Sequence, residues 1–171
     1  MLISSEYKAL NARQHFERPE WGRQSMKWWE TIKTLCDQVG VKKFLDYGCG
    51  KQSLKAALEP FGYEVTGYDP AIPGLDSPPE PHLFVVCTDV LEHVEPECLD
   101  AVLADLHRVT RKGCFMVIAT RPARRAMVDG SNPHRIVQPK EWWMDKLRER
   151  FVLGSVNATS DQLLVAMVAP K

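Results

Sequence analysis

The sequence predicts an α/β protein whose doubly wound, mostly parallel sheet is covered by helices on both faces. Three observations lead to this fold class. After about residue 41, short apolar runs alternate with segments of helical periodicity, which is typical of parallel sheets. The first 40 residues have helical periodicity. Two apolar runs close the chain, Val152–Val156 and Leu163–Val168, and the polar turn between them predicts an antiparallel edge pair.

The N-terminal segment predicts two helices. The second is indicated by apolar residues that share one helical face: Trp28, Ile32, Leu35, Cys36 and Val39. Gly40 ends this helix, because glycine readily adopts the conformation that stops one. Pro19 and Gly22 separate it from an earlier, weaker helix that carries Tyr7 and Leu10. We therefore expect residues 1–40 to pack as helices beside the sheet.

Four parallel strands are predicted from short apolar runs bounded by turn residues: Lys43–Asp46, Glu64–Tyr68, Leu83–Cys87 and Cys114–Ala119. Three helices are predicted from apolar residues that recur on one face: Leu54–Phe61, Pro96–Val109 and Pro139–Phe151. A proline-rich connection occupies residues 69–81. The length of 171 residues suits one domain with a single core.

Composition narrows the class of protein. The 22 lysines and arginines balance the 22 aspartates and glutamates, so no global field attracts nucleic acid or a membrane. The five cysteines form no Cys-x-x-Cys pair, which argues against a zinc ribbon or a disulfide framework. The N-terminus turns polar at once, and the late apolar run is far shorter than the ~20 residues of a membrane span. We expect a soluble, cytoplasmic protein.

A glycine turn follows the first predicted strand. Gly48 and Gly50 allow the backbone to pass close to a ligand. Asp69 ends the second strand, where an acidic residue accepts hydrogen bonds from the ribose of an adenosine. The third glycine of the dinucleotide fingerprint is replaced by Ser53, and the carboxylate of Asp46 would repel a pyrophosphate. The same carboxylate suits an ammonium group, so these residues favour S-adenosylmethionine over NAD.

Four segments in order resemble class I S-adenosylmethionine-dependent methyltransferases. Phe44–Gly50 resembles their motif I, and Val65–Asp69 resembles the acidic end of their second strand. Thr88–Val94 is similar to the segment after their fourth strand, and Leu106–Gly113 to the approach to their fifth. The resemblance covers residues 43–120 and is strongest to small, single-domain bacterial and phage enzymes. It implies a Rossmann-like fold and methyl transfer.

The resemblance also implies cofactor-binding residues: Asp46, Gly48 and Gly50 at the methionine end, Asp69 at the ribose and Asp89 near the sulfonium. The sequence departs from the family pattern at two places. Gln52 stands where the family usually has a third glycine. The segment after Asp69 is short, so the third strand and its helix are expected to be abbreviated, with Ile72 as the expected cover for the adenine.

A cluster of acidic residues and histidines follows the predicted strand Leu83–Cys87. Glu92 and His93 lie there beside Asp89, and His134 lies in the long connection after the next strand. Three interpretations are open. His93 or Glu92 acts as a general base; the group binds a divalent metal, as a similar motif does in small-RNA 3′-end methyltransferases; or Glu92 caps a helix and His93 packs under it. The predicted catalytic residues are His93, Glu92 and His134, and no metal ligands are assigned.

The connection over residues 121–140 carries five basic residues and one acidic residue. It either holds a phosphate or carboxylate of the methyl acceptor or is a solvated loop. No aromatic residues are interleaved with these charges, so nucleic acid is not indicated, and a small or acidic metabolite is favoured as the acceptor. Trp28 or Trp29 is expected to cover that acceptor.

The expected function is transfer of a methyl group from S-adenosylmethionine by in-line attack on an aligned acceptor. We expect a single domain with four parts. Residues 1–40 form an N-terminal helical segment and residues 41–120 a cofactor-binding core. Residues 121–140 form an acceptor-side connection, and residues 141–171 a C-terminal helix with its strand pair. The alternative is a non-catalytic module that binds the cofactor as a sensor or as a partner subunit.

Overall fold

The computed structural model describes the backbone of residues 1–171 and the side chains of residues 1–165 and 169–171. Seven strands form the sheet: β1 (Lys43–Tyr47), β2 (Glu64–Tyr68), β3 (His82–Thr88), β4 (Thr110–Ala119), β5 (Phe151–Val152), β6 (Ser155–Ala158) and β7 (Gln162–Pro170). Their order is β2-β1-β3-β4-β7-β5, and β6 also pairs with β7. Strands β1 to β4 run parallel, whereas β7 is antiparallel to β4, β5 and β6.

Five α-helices accompany the sheet: α1 (Ser5–Glu17), α2 (Trp29–Val39), α3 (Ser53–Leu58), α4 (Leu99–Val109) and α5 (Lys140–Arg148). The Ser4 hydroxyl accepts a hydrogen bond from the Tyr7 amide and so caps α1. Gly40 ends α2 in the left-handed region with φ of 76°. A 3₁₀ turn that starts at Pro96 leads into α4, because proline fits the first turn of a helix.

Two apolar clusters cover the two faces of the sheet. Alternate residues of β1 point to opposite faces, so Leu45 belongs to one cluster and Phe44 to the other. Helices α4 and α5 bury their apolar faces against the first cluster through Leu103 and Trp143. Helices α2 and α3 pack against the second. This arrangement confirms the doubly wound α/β fold.

Three boundaries differ from the sequence prediction. Strand β4 begins at Thr110 rather than at Cys114, because Arg111 and Lys112 expose their side chains while the backbone already pairs with β3. Phe151 was expected in the last helix but lies in β5, since α5 ends at Arg148. The first closing apolar run is divided between β5 and β6, and β7 lies between β4 and β5 instead of at the sheet's edge.

The abbreviated region after β2 is confirmed. Within the described backbone, residues 69–81 contain turns but no strand or helix, so β2 forms one edge of the sheet. No helix among the described residues combines the length and the apolar character that crossing a bilayer requires.

Candidate functional site

The carboxyl ends of the parallel strands open into a cleft of about 1240 Å³. Ligands of open parallel sheets bind at this edge. The glycine turn after β1 and the ends of β2 and β3 form its base. One wall comes from the segment between α1 and α2, and the other comes from the connection after β4. The cleft therefore joins four of the predicted cofactor residues, Gly48, Gly50, Asp69 and Asp89, to the predicted acceptor-side connection, whereas Asp46 and Ile72 do not line it.

The glycine turn requires glycine at two positions. Gly48 has φ of 79°, and a Cβ atom there would lie 2.3 Å from Cγ2 of Val90. Gly50 has φ of 49°, and its Cβ would lie 2.5 Å from the carbonyl oxygen of Gly22. The Gly48 amide donates a hydrogen bond to the Tyr68 carbonyl at 2.7 Å, which ties the turn to the end of β2. A side chain at either glycine would be strained and would collide.

Gln52, which replaces the family's third glycine, also adopts the left-handed region with φ of 54°. This conformation costs a residue with a side chain about 1 kcal/mol or more. The residue precedes α3 directly, so the backbone of the turn follows a glycine-like path even without the glycine.

Asp69 lies in the cleft and is 8% exposed. Its Oδ2 accepts a hydrogen bond from the Gly50 amide at 3.1 Å, and its Oδ1 accepts one from the Ala71 amide at 3.0 Å. The Nε2 atom of His15 lies 3.9 Å from Oδ2. Burial lowers the pKa of His15, although the Asp69 charge opposes that shift. The sequence alone gave no signal for this approach of α1 to the end of β2.

Asp46 lies beneath the turn. It is 1% exposed, and its Oδ2 has no hydrogen-bond partner among the described residues. Burial, and secondarily the charge of Asp69, raise the pKa of Asp46 to about 7. This carboxyl group therefore influences the cleft through its charge and through its position beneath the glycine turn.

Ile72 does not line the main cleft. It lies in a neighbouring depression of about 330 Å³, together with Gln52 and Pro73. The main cleft instead presents Pro70 and Ala71 after the end of β2. The physical reason is the tight turn that follows Asp69, in which the Ile72 amide donates to the Asp69 carbonyl at 3.2 Å.

Asp89 lies at the end of β3 with φ of 54° and lines the cleft. Its amide donates to the Val117 carbonyl at 2.9 Å. Its side chain accepts a hydrogen bond from Nε2 of Gln162 at 3.3 Å and forms an ion pair with Nζ of Lys27 at 3.5 Å. Residues from the first and last parts of the chain thus hold this carboxylate in place.

Glu92 is fully buried and does not line the cleft. Its Oε1 accepts a hydrogen bond from the Ala119 amide at 2.9 Å. Its Oε2 has no hydrogen-bond partner among the described residues. Burial, and secondarily the Asp89 charge, raise the pKa of Glu92 to about 8. A side chain in this place cannot touch an acceptor in the cleft.

His93 and His134 both line the cleft and pack edge to face, with 4.9 Å between ring centroids. Burial, and secondarily the neighbouring His134, lower the pKa of His93 to about 3. Burial also lowers the pKa of His134. The Nδ1 atom of His134 lies 2.6 Å from the Arg121 carbonyl oxygen and must donate to it, because a carbonyl only accepts. Both imidazoles are therefore neutral near pH 7.

The tryptophans correct one expectation. Trp28 packs against Phe115 with 6.1 Å between centroids, and Trp29 stacks on Phe61, so both rings belong to the cluster around α2 and α3. Trp21 lines the cleft instead and meets the His93 ring edge to face at 5.8 Å. The break between α1 and α2 turns this earlier tryptophan towards the cleft.

Basic side chains from two segments surround the cleft: Arg18, Arg23, Lys27, Arg121, Arg124 and Arg125. The Nε atom of Arg121 contacts Oδ2 of Asp161 at 2.9 Å, which fixes the start of the connection after β4. Arg124 and Arg125 expose their side chains at the rim. The sequence indicated the second group of charges, but the contribution of Arg18, Arg23 and Lys27 depends on the packing of the N-terminal segment.

Comparisons with known proteins bear on the family and the fold of the chain. The profile of a family described as a methyltransferase domain matches residues 14–160. No curated protein sequence matches the chain significantly.

Solved structures share the fold. A 1,6-didemethyltoxoflavin N1-methyltransferase of Burkholderia thailandensis, with bound 1,6-didemethyltoxoflavin and S-adenosylhomocysteine, superposes with a TM-score of 0.70 at 18% identity, over 100% of this chain and 92% of that one. An N-methyltransferase of Bradyrhizobium japonicum in complex with S-adenosylhomocysteine gives 0.63 at 17%, over 98% and 100% of the two chains. A magnesium protoporphyrin IX methyltransferase of Synechocystis with bound S-adenosylhomocysteine gives 0.58 at 15%, over 99% and 89%.

Proposed function

The chain belongs to the methyltransferase domain family, and from this membership we propose that it transfers a methyl group from S-adenosylmethionine to a small anionic acceptor held in the large cleft. The observation that carries the proposal is the contact between the glycine turn and Asp69. The Gly50 amide reaches Asp69 Oδ2 at 3.1 Å, which places an acidic side chain directly beside a turn that excludes side chains.

The residues fit this cofactor. Gly48 and Gly50 line the cleft with positive φ, so the turn presents backbone without side chains to the methionine portion of the cofactor. Asp69 lines the cleft, as a ribose-binding carboxylate must. Asp46 keeps a buried, unpartnered oxygen below the turn, and a negative charge there favours the ammonium group of the cofactor. Pro70 and Ala71 provide the apolar surface next to the ribose position.

When bound, the cofactor supplies a methyl group on a sulfonium, which is already a good leaving group. The chain's residues then have to align an acceptor and exclude water, which is catalysis by proximity. His93 and His134 line the cleft as neutral imidazoles and can accept a hydrogen bond from the acceptor. Glu92 is fully buried and accepts a hydrogen bond from the Ala119 amide, so it does not touch the acceptor.

The rim supports an anionic acceptor. Arg124 and Arg125 are exposed where the connection after β4 meets the cleft, and Arg18 and Arg23 face it from the N-terminal segment. Guanidinium groups bind carboxylates and phosphates through paired hydrogen bonds. A carboxylate or phosphate on a small acceptor would therefore be held at the rim while its nucleophilic atom enters the cleft.

The five cysteines are free and buried, which agrees with a protein kept in a reducing compartment, and we retain a cytoplasmic location as part of this proposal.

Cofactor binding is tested by calorimetric titration of the whole protein with S-adenosylmethionine and S-adenosylhomocysteine. We expect both to bind the wild type, and the Asp69→Asn variant to bind about 10- to 100-fold more weakly, because a neutral amide loses the charge-assisted hydrogen bonds to the ribose. Asp145→Asn on the exposed face of α5 is the matched control and should bind as the wild type does. Failure of the wild type to bind either compound would refute the proposal.

Methyl transfer is tested with methyl-labelled cofactor and a cell extract divided into small molecules, nucleic acid and protein. We expect label in the small-molecule fraction, in compounds retained by an anion-exchange resin. Label only in nucleic acid or protein would contradict the proposed acceptor class. Cofactor binding without transfer to any fraction would instead identify a non-catalytic binding module.

A further inference from the structure

We propose that Glu92, His93 and His134 form a binding site for one divalent transition-metal ion at the acceptor side of the cleft. The ligand atoms that these three side chains offer all lie within 4.8 Å of one another. Asp89, which the sequence placed beside them, is not part of this group: its side chain contacts Gln162 and Lys27 instead. The inferred set is thus two imidazoles and one carboxylate.

Glu92 supplies the first independent observation. It is fully buried, and one of its oxygens is used by the Ala119 amide at 2.9 Å. The other oxygen, Oε2, has no hydrogen-bond partner among the described residues. A buried, unpartnered carboxylate oxygen is costly, and a cation offsets that cost. Glu92 belongs to the three-residue group, and its unpartnered oxygen is the one that the Ala119 amide leaves available to a cation.

His134 supplies the second observation. Its Nδ1 donates to the Arg121 carbonyl at 2.6 Å, so its Nε2 carries a free lone pair. Metal-binding histidines generally donate their other ring N–H to a carbonyl or carboxylate, which fixes the tautomer and the ring orientation. The connection after β4 therefore holds the His134 ring in place, and the His93 ring packs against that ring edge to face.

The ligand types select the kind of ion. Imidazole nitrogens suit zinc, copper, iron, cobalt and nickel, whereas magnesium and calcium prefer oxygen ligands. Metal–nitrogen and metal–oxygen bonds of about 2.0–2.2 Å require the ligand atoms to move inwards by roughly 1 Å. Three protein ligands leave at least one coordination position open, as in catalytic metal sites.

The open position would face the cleft, because His93 and His134 both line it while Glu92 closes the group from behind. A bound cation would there hold an oxygen or nitrogen of the acceptor next to Asp89 and the glycine turn. The role of the ion in holding the acceptor rests on the proposed methyl transfer, whereas binding of the ion itself does not depend on that proposal. Metal binding also explains why the Glu92 carboxylate is buried, whereas a general base would have to contact the acceptor directly.

The test uses the full chain after treatment with a chelator and dialysis. Cobalt(II) is titrated without cofactor, and binding is followed by visible absorption and by calorimetry. We expect one equivalent to bind with the absorption bands of a low-symmetry site of nitrogen and oxygen ligands. The variants His93→Asn, His134→Asn and Glu92→Gln should each weaken binding at least about tenfold. His82→Asn and His107→Asn, which alter histidines on β3 and α4, are the controls and should leave binding unchanged.

Because a change at fully buried Glu92 can lower stability, His134→Asn in the connection after β4 provides a separate test, with thermal melting of each variant as the check on folding. Titration with S-adenosylhomocysteine in the absence of metal separates this inference from the cofactor assignment. Absence of cobalt binding by the wild type, or equal loss of binding in the two control variants, would overturn the proposal whether or not the cofactor binds.

Discussion

The two ends of the cleft are built in different ways. The proposed cofactor end is local in sequence and held by backbone amides: the glycine turn and Asp69 belong to one β-α-β unit, and the amides of Gly50 and Ala71 donate to the Asp69 carboxylate. The proposed acceptor end consists of side chains from the segment after β3 and from the connection after β4. A local turn tolerates few residue types, whereas a cluster assembled from distant segments depends on how the whole chain packs. The first can be recognised in a sequence more easily than the second.

The largest expected effect is confined to the cofactor end. Gly50→Ala places a Cβ 2.5 Å from the Gly22 carbonyl oxygen at a residue with φ of 49°, so the turn must move. We expect affinity for S-adenosylhomocysteine to fall by at least about 100-fold and the melting temperature to fall by several degrees. Calorimetry and thermal unfolding measure both. Cobalt binding at the acceptor end should stay within about twofold of the wild type if the two ends are independent.

Gly130→Ala is the matched control for that variant. Gly130 also has a positive φ, 83°, but no atom lies within 4 Å of its added Cβ. It should lose about 1 kcal/mol of stability while cofactor affinity is unchanged. Equal affinity loss in the two variants would show that the glycine turn has no special relation to the cofactor.

This contrast explains what the sequence could predict. Strand β2 and the glycine turn were located from short apolar runs and glycines, because both signals are local. The positions of Glu92 and Trp21 could not be read in the same way: burial of Glu92 depends on the Ala119 amide, and Trp21 reaches His93 only through the path between α1 and α2. The start of β4 was misplaced because its first residues are exposed on one side.

A second prediction concerns charge at the cofactor end. Asp46 has its pKa raised to about 7 by burial, so it ionises progressively as the pH rises through that value. Affinity for S-adenosylhomocysteine, whose ammonium group favours an ionised Asp46, should increase up to tenfold per pH unit below about pH 7 and level off above it. Calorimetry between about pH 5.5 and 8 measures this slope.

The stability of the free protein should change with pH in the opposite direction. A carboxyl group whose pKa is higher in the folded state binds more protons there than in the unfolded state, so stability from this group declines as the pH rises from its ordinary value near 3.8 to about 7. Asp46→Asn should remove both slopes. If the affinity slope persists in that variant, another group controls the cofactor end.

The smallest expected effect is an increase in the stability of the folded protein. Gln52→Gly removes the cost of a left-handed backbone at φ of 54°, which should raise the free energy of unfolding by about 1 kcal/mol, offset in part by the greater freedom of glycine when unfolded. Chemical denaturation measures the change. Gln38→Gly within right-handed α2 is the control of opposite sign and should destabilise by about 0.5–1 kcal/mol. A loss of stability in Gln52→Gly would mean that the Gln52 side chain makes a contribution larger than its strain.

The close contact between Gly22 and Gly50 limits which substitutions this sequence can accept. The Lys51 amide donates to the Gly22 carbonyl at 3.0 Å. A Cβ on Gly50 would lie 2.5 Å from the Gly22 carbonyl oxygen, and a Cβ on Gly22 would lie 2.7 Å from Cε1 of His15 and 3.1 Å from Cα of Gly50. The two positions are therefore epistatic: a substitution at one is acceptable only after the chain path at the other has shifted. A position-by-position description of relatives would miss this dependence. Sequence change in the N-terminal segment is thus constrained by the turn after the first strand.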